Sequence, residues 1–283
     1  MTILITGATG NVGRPLVEQL HAAGMKVRAV TRNPSSNFPP EVETVASVRD
    51  GLAGVSAVFL NSRALGPDLA WTVEAAKDAG AKLVALSAIN ADDDFSRQPS
   101  RFRGDRNKEV EQLAVDSGLP WVSLRPALFA TNFIGMWAGQ LQAGDVVAGP
   151  YAAASSAPIV EADIAAVAAH ALLTDELDGR KIPLTGPQSL TNTELLAIVG
   201  RVLGRDLRYL EIPVEQVRER FVAIGFPPEF GTAYTALLAE TVDTPAPVSG
   251  EVERILGRPA QPFAEWVDRH RGAFARNLET SHV

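Results

Sequence analysis

The chain has 283 residues, 46% of them hydrophobic and 21% charged, enough to enclose one sizeable core or a core with a smaller lobe. It has no cysteine, which excludes disulfides, thiolate catalysis and sulfur-ligated metals by inventory, and its four histidines (His21, His170, His270 and His282) lack ligand-like spacing, so no metal site is expected. The formal net charge of −7 repels nucleic-acid phosphates, and no apolar run approaches the roughly 18 residues of a membrane span, so neither nucleic acid nor membrane is an expected partner.

Residues 2–6 form a short apolar run rich in β-branched side chains, and they lead into glycines rather than into the basic and long apolar regions of a secretory signal. The expected location is therefore the cytoplasm. From Asn11 to about Ala23, apolar side chains at Val12, Leu16, Val17 and Leu20 predict an amphipathic helix, with Gly24 as its C-terminal stop. Lys26 to Thr31 alternates as a second strand. A strand near Val42 to Ala46, an apolar strand Ala57 to Leu60, a helix Asp68 to Ala79 and a strand Lys82 to Ser87 follow. After a polar stretch from Asn90 to Gly104 come a helix ending near Ser117-Gly118 and a strand Trp121 to Leu124. Apolar strands alternating with helices indicate an α/β protein of the Rossmann type, a doubly wound parallel sheet covered on both faces.

Beyond Pro126 the rhythm changes to helices with turn-rich stretches at Ala148 to Pro158 and Thr241 to Gly250. The expected division is a dinucleotide-binding core over 1–130 and a smaller, mainly helical substrate lobe over 131–283. Strand-like pieces at Lys181 to Thr185 and Arg208 to Ile212 are candidates to rejoin the main sheet.

Gly7, Gly10 and Gly13 have the spacing G-x-x-G-x-x-G, directly after a strand and opening a helix. The first permits a tight turn, the second lets a pyrophosphate approach the backbone, and the third lets the helix pack closely on the sheet. Free N–H groups and the positive end of the helix dipole then meet the phosphates. A carboxylate at the end of the second strand would select NAD; here Thr31-Arg32-Asn33 offers a guanidinium instead, with Arg14 one residue past the last glycine. NADP(H) is therefore expected over NAD(H).

Ligands of an open α/β sheet lie over the carboxyl ends of its strands, so the residues leaving each strand are the candidates: Asn61, Ser62 and Arg63, then Ser87 and Ala88, then Arg125 to Asn132. Phe129, Phe133 and Trp137 recur at four-residue spacing, a stripe that serves either as core or as the apolar wall of an acceptor pocket. The loop from Ala91 to Arg106 carries Asp92-Asp93-Asp94 and then Arg97, Arg101, Arg103 and Arg106, and reads either as a solvated loop or as a lid that recognises an anionic group.

The motifs Thr6-Gly7-Ala8-Thr9-Gly10-Asn11-Val12-Gly13, Thr31-Arg32-Asn33-Pro34, Asp116-Ser117-Gly118-Leu119-Pro120 with Leu124-Arg125-Pro126, and Thr185-Gly186-Pro187 before a helix are together similar to the NmrA-like branch of the atypical short-chain dehydrogenases. That branch holds quinone oxidoreductases, triphenylmethane reductases, isoflavone-type reductases and redox-sensing regulators. The resemblance implies that Gly7, Thr9, Gly10, Asn11, Val12 and Gly13 hold the diphosphate. It also implies that Arg32 takes the 2′-phosphate, that Leu60 to Arg63, with Asn61 and Ser62, pass beside the adenosine and ribose, that Ser87 sits near the nicotinamide ribose, and that Phe129 faces the nicotinamide and substrate; the spacing adds Phe133 as a candidate for the same wall.

The wider superfamily places a proton-transferring tyrosine and a pKa-lowering lysine four residues apart on the helix after the fifth strand. Asn107 and Glu111 stand at those positions, and Tyr151, Tyr209 and Tyr234 all lie elsewhere; Lys108 is offset by about a hundred degrees around a helix. No catalytic residue is assigned. Two expectations follow: a reductase that passes hydride from NADPH to an apolar electrophilic small molecule (a quinone, dye or enone) as a monomer or homodimer, or a redox-sensing regulator that binds NADP(H) and does no chemistry.

Overall fold

The computed structural model describes residues 1–33 and 37–276. Pro34 of the motif after the second strand, and His282, lie outside the described residues, as does the end of the expected 131–283 lobe.

The elements run β1 (Thr2–Ile5), α1 (Gly13–Ala22), β2 (Lys26–Val30), β3 (Glu43–Val45), α2 (Val48–Gly51), β4 (Ala57–Asn61), α3 (Ser62–Leu65), α4 (Leu69–Ala79), β5 (Lys82–Leu86), α5 (Asn107–Asp116), β6 (Trp121–Pro126), α6 (Asn132–Ala143), β7 (Val146–Gly149), β8 (Ser155–Ser156), α7 (Glu161–Leu173), β9 (Arg180–Leu184), β10 (Leu190–Thr191), α8 (Asn192–Leu203), β11 (Arg208–Glu211), α9 (Val214–Ala223), α10 (Pro228–Ala239), α11 (Glu251–Leu256) and α12 (Phe263–Arg269).

Seven strands pair in parallel in the order β3-β2-β1-β4-β5-β6-β9. Successive strands are laid down to one side of β1 and then, from β4 on, to the other, and the crevice at such a switch point opens above the carboxyl ends of the strands. β4 is apolar on both faces and has Val58, Phe59 and Leu60 wholly buried, because helices cover it from either side. On one face α1 and α7 pack with α11 around Leu16, Val17, Leu20 and Phe59; on the other, α4 and α5 close over Leu4, Val58, Leu83 and Val110. α1 does so through Gly13, Leu16, Val17 and Leu20, the spacing that puts side chains on one helical stripe.

The six strands expected by residue 125 are all present, and the strand near 181–185 is β9, paired to β6 as the seventh. The other candidate, at 208–212, does not reach the main sheet: β11 pairs with β7, in a stretch that sequence patterning left without a strand. A third small core of Phe133, Trp137, Leu141, Leu195, Phe263 and Trp266 holds α6, α8 and α12 together.

Two charged side chains fasten this frame. Arg205 donates to Asp145 Oδ1 (2.8 Å) and to the carbonyls of Leu141 (2.7 Å), Gly144 (2.5 Å) and Phe274 (3.0 Å), tying the ends of α6 and α8 to the C-terminal segment. Glu111 of α5 is 3% exposed and accepts from Ser123 (2.6 Å) and Arg125 (2.7 and 2.5 Å) of β6 and pairs with Lys181 of β9 (2.8 Å). Burial by itself would raise the Glu111 pKa. The bonds from Arg125, Lys181 and Ser123 override it and hold the carboxyl at about 2, against an ordinary 4.5.

Arg205→Ala is expected to lower stability by about 2 to 3 kcal/mol in denaturant titrations, the scale of lost charge-assisted bonds, and Arg205→Lys to recover little because one ammonium cannot reach four oxygens set around a guanidinium. Glu111→Gln tests the second tie. A carboxyl whose folded pKa is depressed contributes stability above its unfolded pKa, and that contribution fades as pH falls from about 4.5 toward about 2. At neutral pH the variant should be destabilised by about 3 kcal/mol, and the gap to the unmodified chain should close below pH ~3. A gap independent of pH would refute the ion-pair origin.

Candidate active site

The turn between β1 and α1 is built by its glycines. Gly7 adopts φ +67°, and a Cβ there would also crowd the Asn61 amide at 3.0 Å. Gly10 N donates to Gly7 O (2.9 Å), closing the turn. At Gly13 a Cβ would lie 2.1 Å from Gly7 O, so any side chain would force α1 away from β1. The helix then starts without the usual devices: Val12 at its N-cap makes no capping bond and no acidic residue occupies its first turn. Among the described residues the N–H groups of Asn11 and Val12 find no acceptor, although Val12 is 3% exposed. Buried N–H groups are almost always paired. Asn11 is exposed and Val12 buried, and both stand at the positive end of α1 beside the switch point, a place that fits the diphosphate of a dinucleotide.

Arg32 follows β2 and is exposed, one strand away from β1 on the side opposite β4. The Thr31 hydroxyl and the Asn33 N–H share a hydrogen bond of 3.1 Å that shapes this strand end. The Arg14 guanidinium lies 5.0 Å from the centre of the Phe38 ring. Thr9 is exposed on the turn, and Asn11 Nδ2 donates to Thr131 Oγ1 (3.1 Å), whose own hydroxyl and N–H donate to Glu161 Oε1 (2.6 and 2.8 Å). Glu161, 5% exposed at the start of α7, thus anchors the segment after β6 to the glycine turn. Sequence reading passed it over, since one acid opening an apolar helix looks like an ordinary favourable charge on the helix dipole.

At the end of β4, Asn61 stands over Gly7 and caps α3 by accepting from Ala64 N (3.1 Å). Ser62 corrects the expectation that it faces the adenosine: it is 3% exposed, and its hydroxyl oxygen accepts from Arg106 N (2.9 Å), fastening the entry to α5. Arg63 is exposed and forms no hydrogen bond or ion pair among the described residues. Ser87 donates to the carbonyl of Asn107 (2.8 Å), neither to its own backbone nor outward, and Asn107 Nδ2 donates to Ser100 Oγ (3.2 Å).

The aromatic stripe divides. Phe129 precedes α6, is part-buried and bridges to Ile159, so it borders the crevice. Phe133 is 1% exposed, with Trp137 at 4.7 Å and Phe263 at 5.0 Å between ring centres, and belongs to the lobe's core rather than to a substrate wall. The tertiary contact with α12 consumes its face, which a four-residue spacing alone does not reveal.

None of the three tyrosines lies on α5. Tyr209 donates to the Pro150 carbonyl (2.8 Å) and burial raises its pKa; Tyr234, beside Met136 Sδ at 3.5 Å, is pushed up to about 12 by burial. Glu111 is locked in the ion pairs of β6 and β9, and Lys108 pairs with Asp93. The loop over 91–106 is folded as two short turns docked on α10, where Arg97 meets Asp92, Asp94 and Glu240.

Among known proteins, the (4-alkanoyl-5-oxo-2,5-dihydrofuran-3-yl)methyl phosphate reductase of Streptomyces griseus is 35% identical, covering 96% of this chain and 99% of its own. The NAD(P)H azoreductase of Xenophilus azovorans is 31% identical over the same shares. In fold, the NADPH complex of the NADPH-dependent quinone oxidoreductase of Escherichia coli superposes with a TM-score of 0.79 at 22% identity, covering 95% of this chain and 99% of that one. The NmrA-like family model matches residues 1–253. With the glycine turn, the seven-stranded order and this span of matched residues, the chain belongs to the NmrA-like family.

Proposed function

We propose that the chain is an NADPH-dependent reductase that passes hydride to an apolar, electrophilic, enone-like small molecule. The carrying observation is the pair of unsatisfied N–H groups at Asn11 and Val12, at the mouth of an uncapped helix and above the switch point of the sheet. In this reading the diphosphate lies on those groups, Arg32 takes the 2′-phosphate in place of a ribose-binding carboxylate, and Asn61 borders the ribose. Bound NADPH supplies the hydride. The chain's own part is to orient it and to keep water out, with Phe129 as the apolar wall and the lobe beyond residue 131 closing over the acceptor.

The dyad positions bear on the choice of acceptor. A ketone needs a strong acid at its oxygen as hydride arrives, and Asn107 does not titrate while Glu111 is committed elsewhere. A conjugated alkene accepts hydride at carbon and spreads the charge to a carbonyl, for which the neutral Asn107 amide is a sufficient donor. The relatives support hydride transfer to such an acceptor: one is a reductase of an acyl butenolide that carries a methyl phosphate, and another an azoreductase that uses NAD(P)H.

A second reading keeps the cofactor and drops the chemistry. Asn107 and Glu111, standing on α5 where the wider superfamily has its tyrosine and lysine, favour a redox sensor that binds NADP(H) and reports its state.

NADPH oxidation measured with acyl butenolides, quinones and azo dyes separates the two. The reductase reading expects turnover above background with at least one butenolide, and binding of NADPH without any turnover supports the sensor. Arg32→Ala should weaken NADPH by about 1 to 3 kcal/mol and leave NADH little changed. Gly13→Ala should abolish binding of both cofactors while the far edge of the sheet stays folded, because the added methyl displaces the mouth of α1; tight binding by that variant would dismiss the assigned diphosphate seat.

A further inference from the structure

The charges of the loop over 91–106 separate into two sets. Arg97 is neutralised by Asp92, Asp94 and Glu240, Arg101 by Glu109 at 2.6 Å and by the Phe95 ring, and Lys108 by Asp93. The second set has no acid to itself. Among the described residues the Arg103 guanidinium lies 5.6 Å from the centre of the Phe226 ring and pairs with no acid, the Arg106 guanidinium donates to the carbonyls of Arg101 (3.0 Å) and Asp105 (2.8 Å), and that of Arg63, just past the end of β4, makes no hydrogen bond or ion pair. All three lie within electrostatic reach of the Asp105 carboxylate, yet none forms an ion pair with it among the described residues. Burial is the largest influence on Asp105 and raises its pKa. Three guanidinium groups thus act on one part-buried carboxylate with no ion pair to it among the described residues, an excess of two positive charges in a chain of net charge −7.

The place matters as much as the charge. Arg106 N is bonded to Ser62 Oγ and is followed directly by Asn107, so two of the cations flank the join between β4 and α5 at the crevice, and Arg103 reaches across to the turn between α9 and α10. β4 and β2 lie on opposite sides of β1, so this cluster is separate from Arg32 and from the open N–H groups of the glycine turn.

We infer that Arg63, Arg103 and Arg106 form a recognition site for a phosphate monoester carried by the acceptor, whose charge near −2 at neutral pH matches the unneutralised excess. This rests on the reductase reading of the crevice. The planar guanidinium forks suit the phosphate oxygens, and the Asp105 carboxylate keeps the three cations assembled in the free protein. The phosphate would hold the reducible end of the acceptor beside Asn107 and Phe129, making binding energy remote from the reacting atoms serve orientation.

The test uses a matched pair, an acyl butenolide bearing a hydroxymethyl group and its phosphate monoester, with the full chain and NADPH at low ionic strength. The unmodified protein is expected to show a KM for the ester at least about tenfold below that for the alcohol, as two or more charge-assisted contacts imply. Arg103→Ala and the double variant with Arg106→Ala should erase that preference stepwise. The kcat on the alcohol should stay unchanged and the NADPH dissociation constant within about twofold, since binding is lost only for the phosphate. Arg103 is exposed and forms no ion pair among the described residues, so the folding of Arg103→Ala is not at risk. Equal KM values for ester and alcohol in the unmodified protein overturn the site while leaving the reductase reading intact. So does a double variant that loses NADPH affinity and keeps the preference, which would give the cluster to the cofactor. If neither compound is reduced, the reductase reading fails. The cluster is then judged by inorganic phosphate alone: thermal stabilisation of the NADPH-loaded protein that vanishes in the double variant sustains it, and no stabilisation refutes it.

Discussion

The close approach of α1 to β1 governs the rest of this molecule. A single methyl at position 13 would collide with the carbonyl of Gly7, and only its absence lets the helix begin directly above the switch point. Because no side chain caps that beginning, two main-chain donors are left without an acceptor among the described residues. Anion binding at a helix start needs both conditions, proximity and vacancy of the donors. Asn61, Thr131 and Glu161 brace the turn from two other strand ends, so its shape is set by neighbours as well as by glycine.

Glu111 shows how one substitution of charge can move a position from chemistry to architecture. A lysine there would lower the pKa of a nearby tyrosine in the wider superfamily. A glutamate at the same register has turned to the sheet, where Ser123, Arg125 and Lys181 satisfy it. The helix that elsewhere carries the proton-transfer pair is here a strut joining β6 and β9, which the edge strand needs because β9 has a neighbour on one side only. At the start of α5, Asn107, Ser87 and Ser100 are joined by hydrogen bonds, amides and hydroxyls in place of titrating groups.

The loop over 91–106 illustrates why a count of charges says little until partners are known. Its acids and half of its arginines cancel locally or against α10, as solvated charges commonly do. The remaining cations gather around Asp105 beside the crevice, and only their placement distinguishes them from those already neutralised.

Local pattern determined a good part of this. Alternation of apolar strands with helices is a property of nearest neighbours along the chain, so the first six strands, the glycine turn and the absence of a carboxylate after β2 were all legible in residues read in order. The uncapped start of α1 beside the glycine turn followed from them, because strand, turn and helix are contiguous. What depended on distant segments was not legible. β7 and β11 pair across some sixty intervening positions: the strand at β11 was legible, but its partner β7, short and running into a turn-rich stretch, was not. Phe133 was ambiguous until Phe263 filled the space against it, Ser62 until Arg106 reached its hydroxyl, and Glu161 until Thr131 arrived beside it. A side chain's residue type limits what it can touch, but which partner occupies its one free face is settled by packing between segments that the linear order keeps apart.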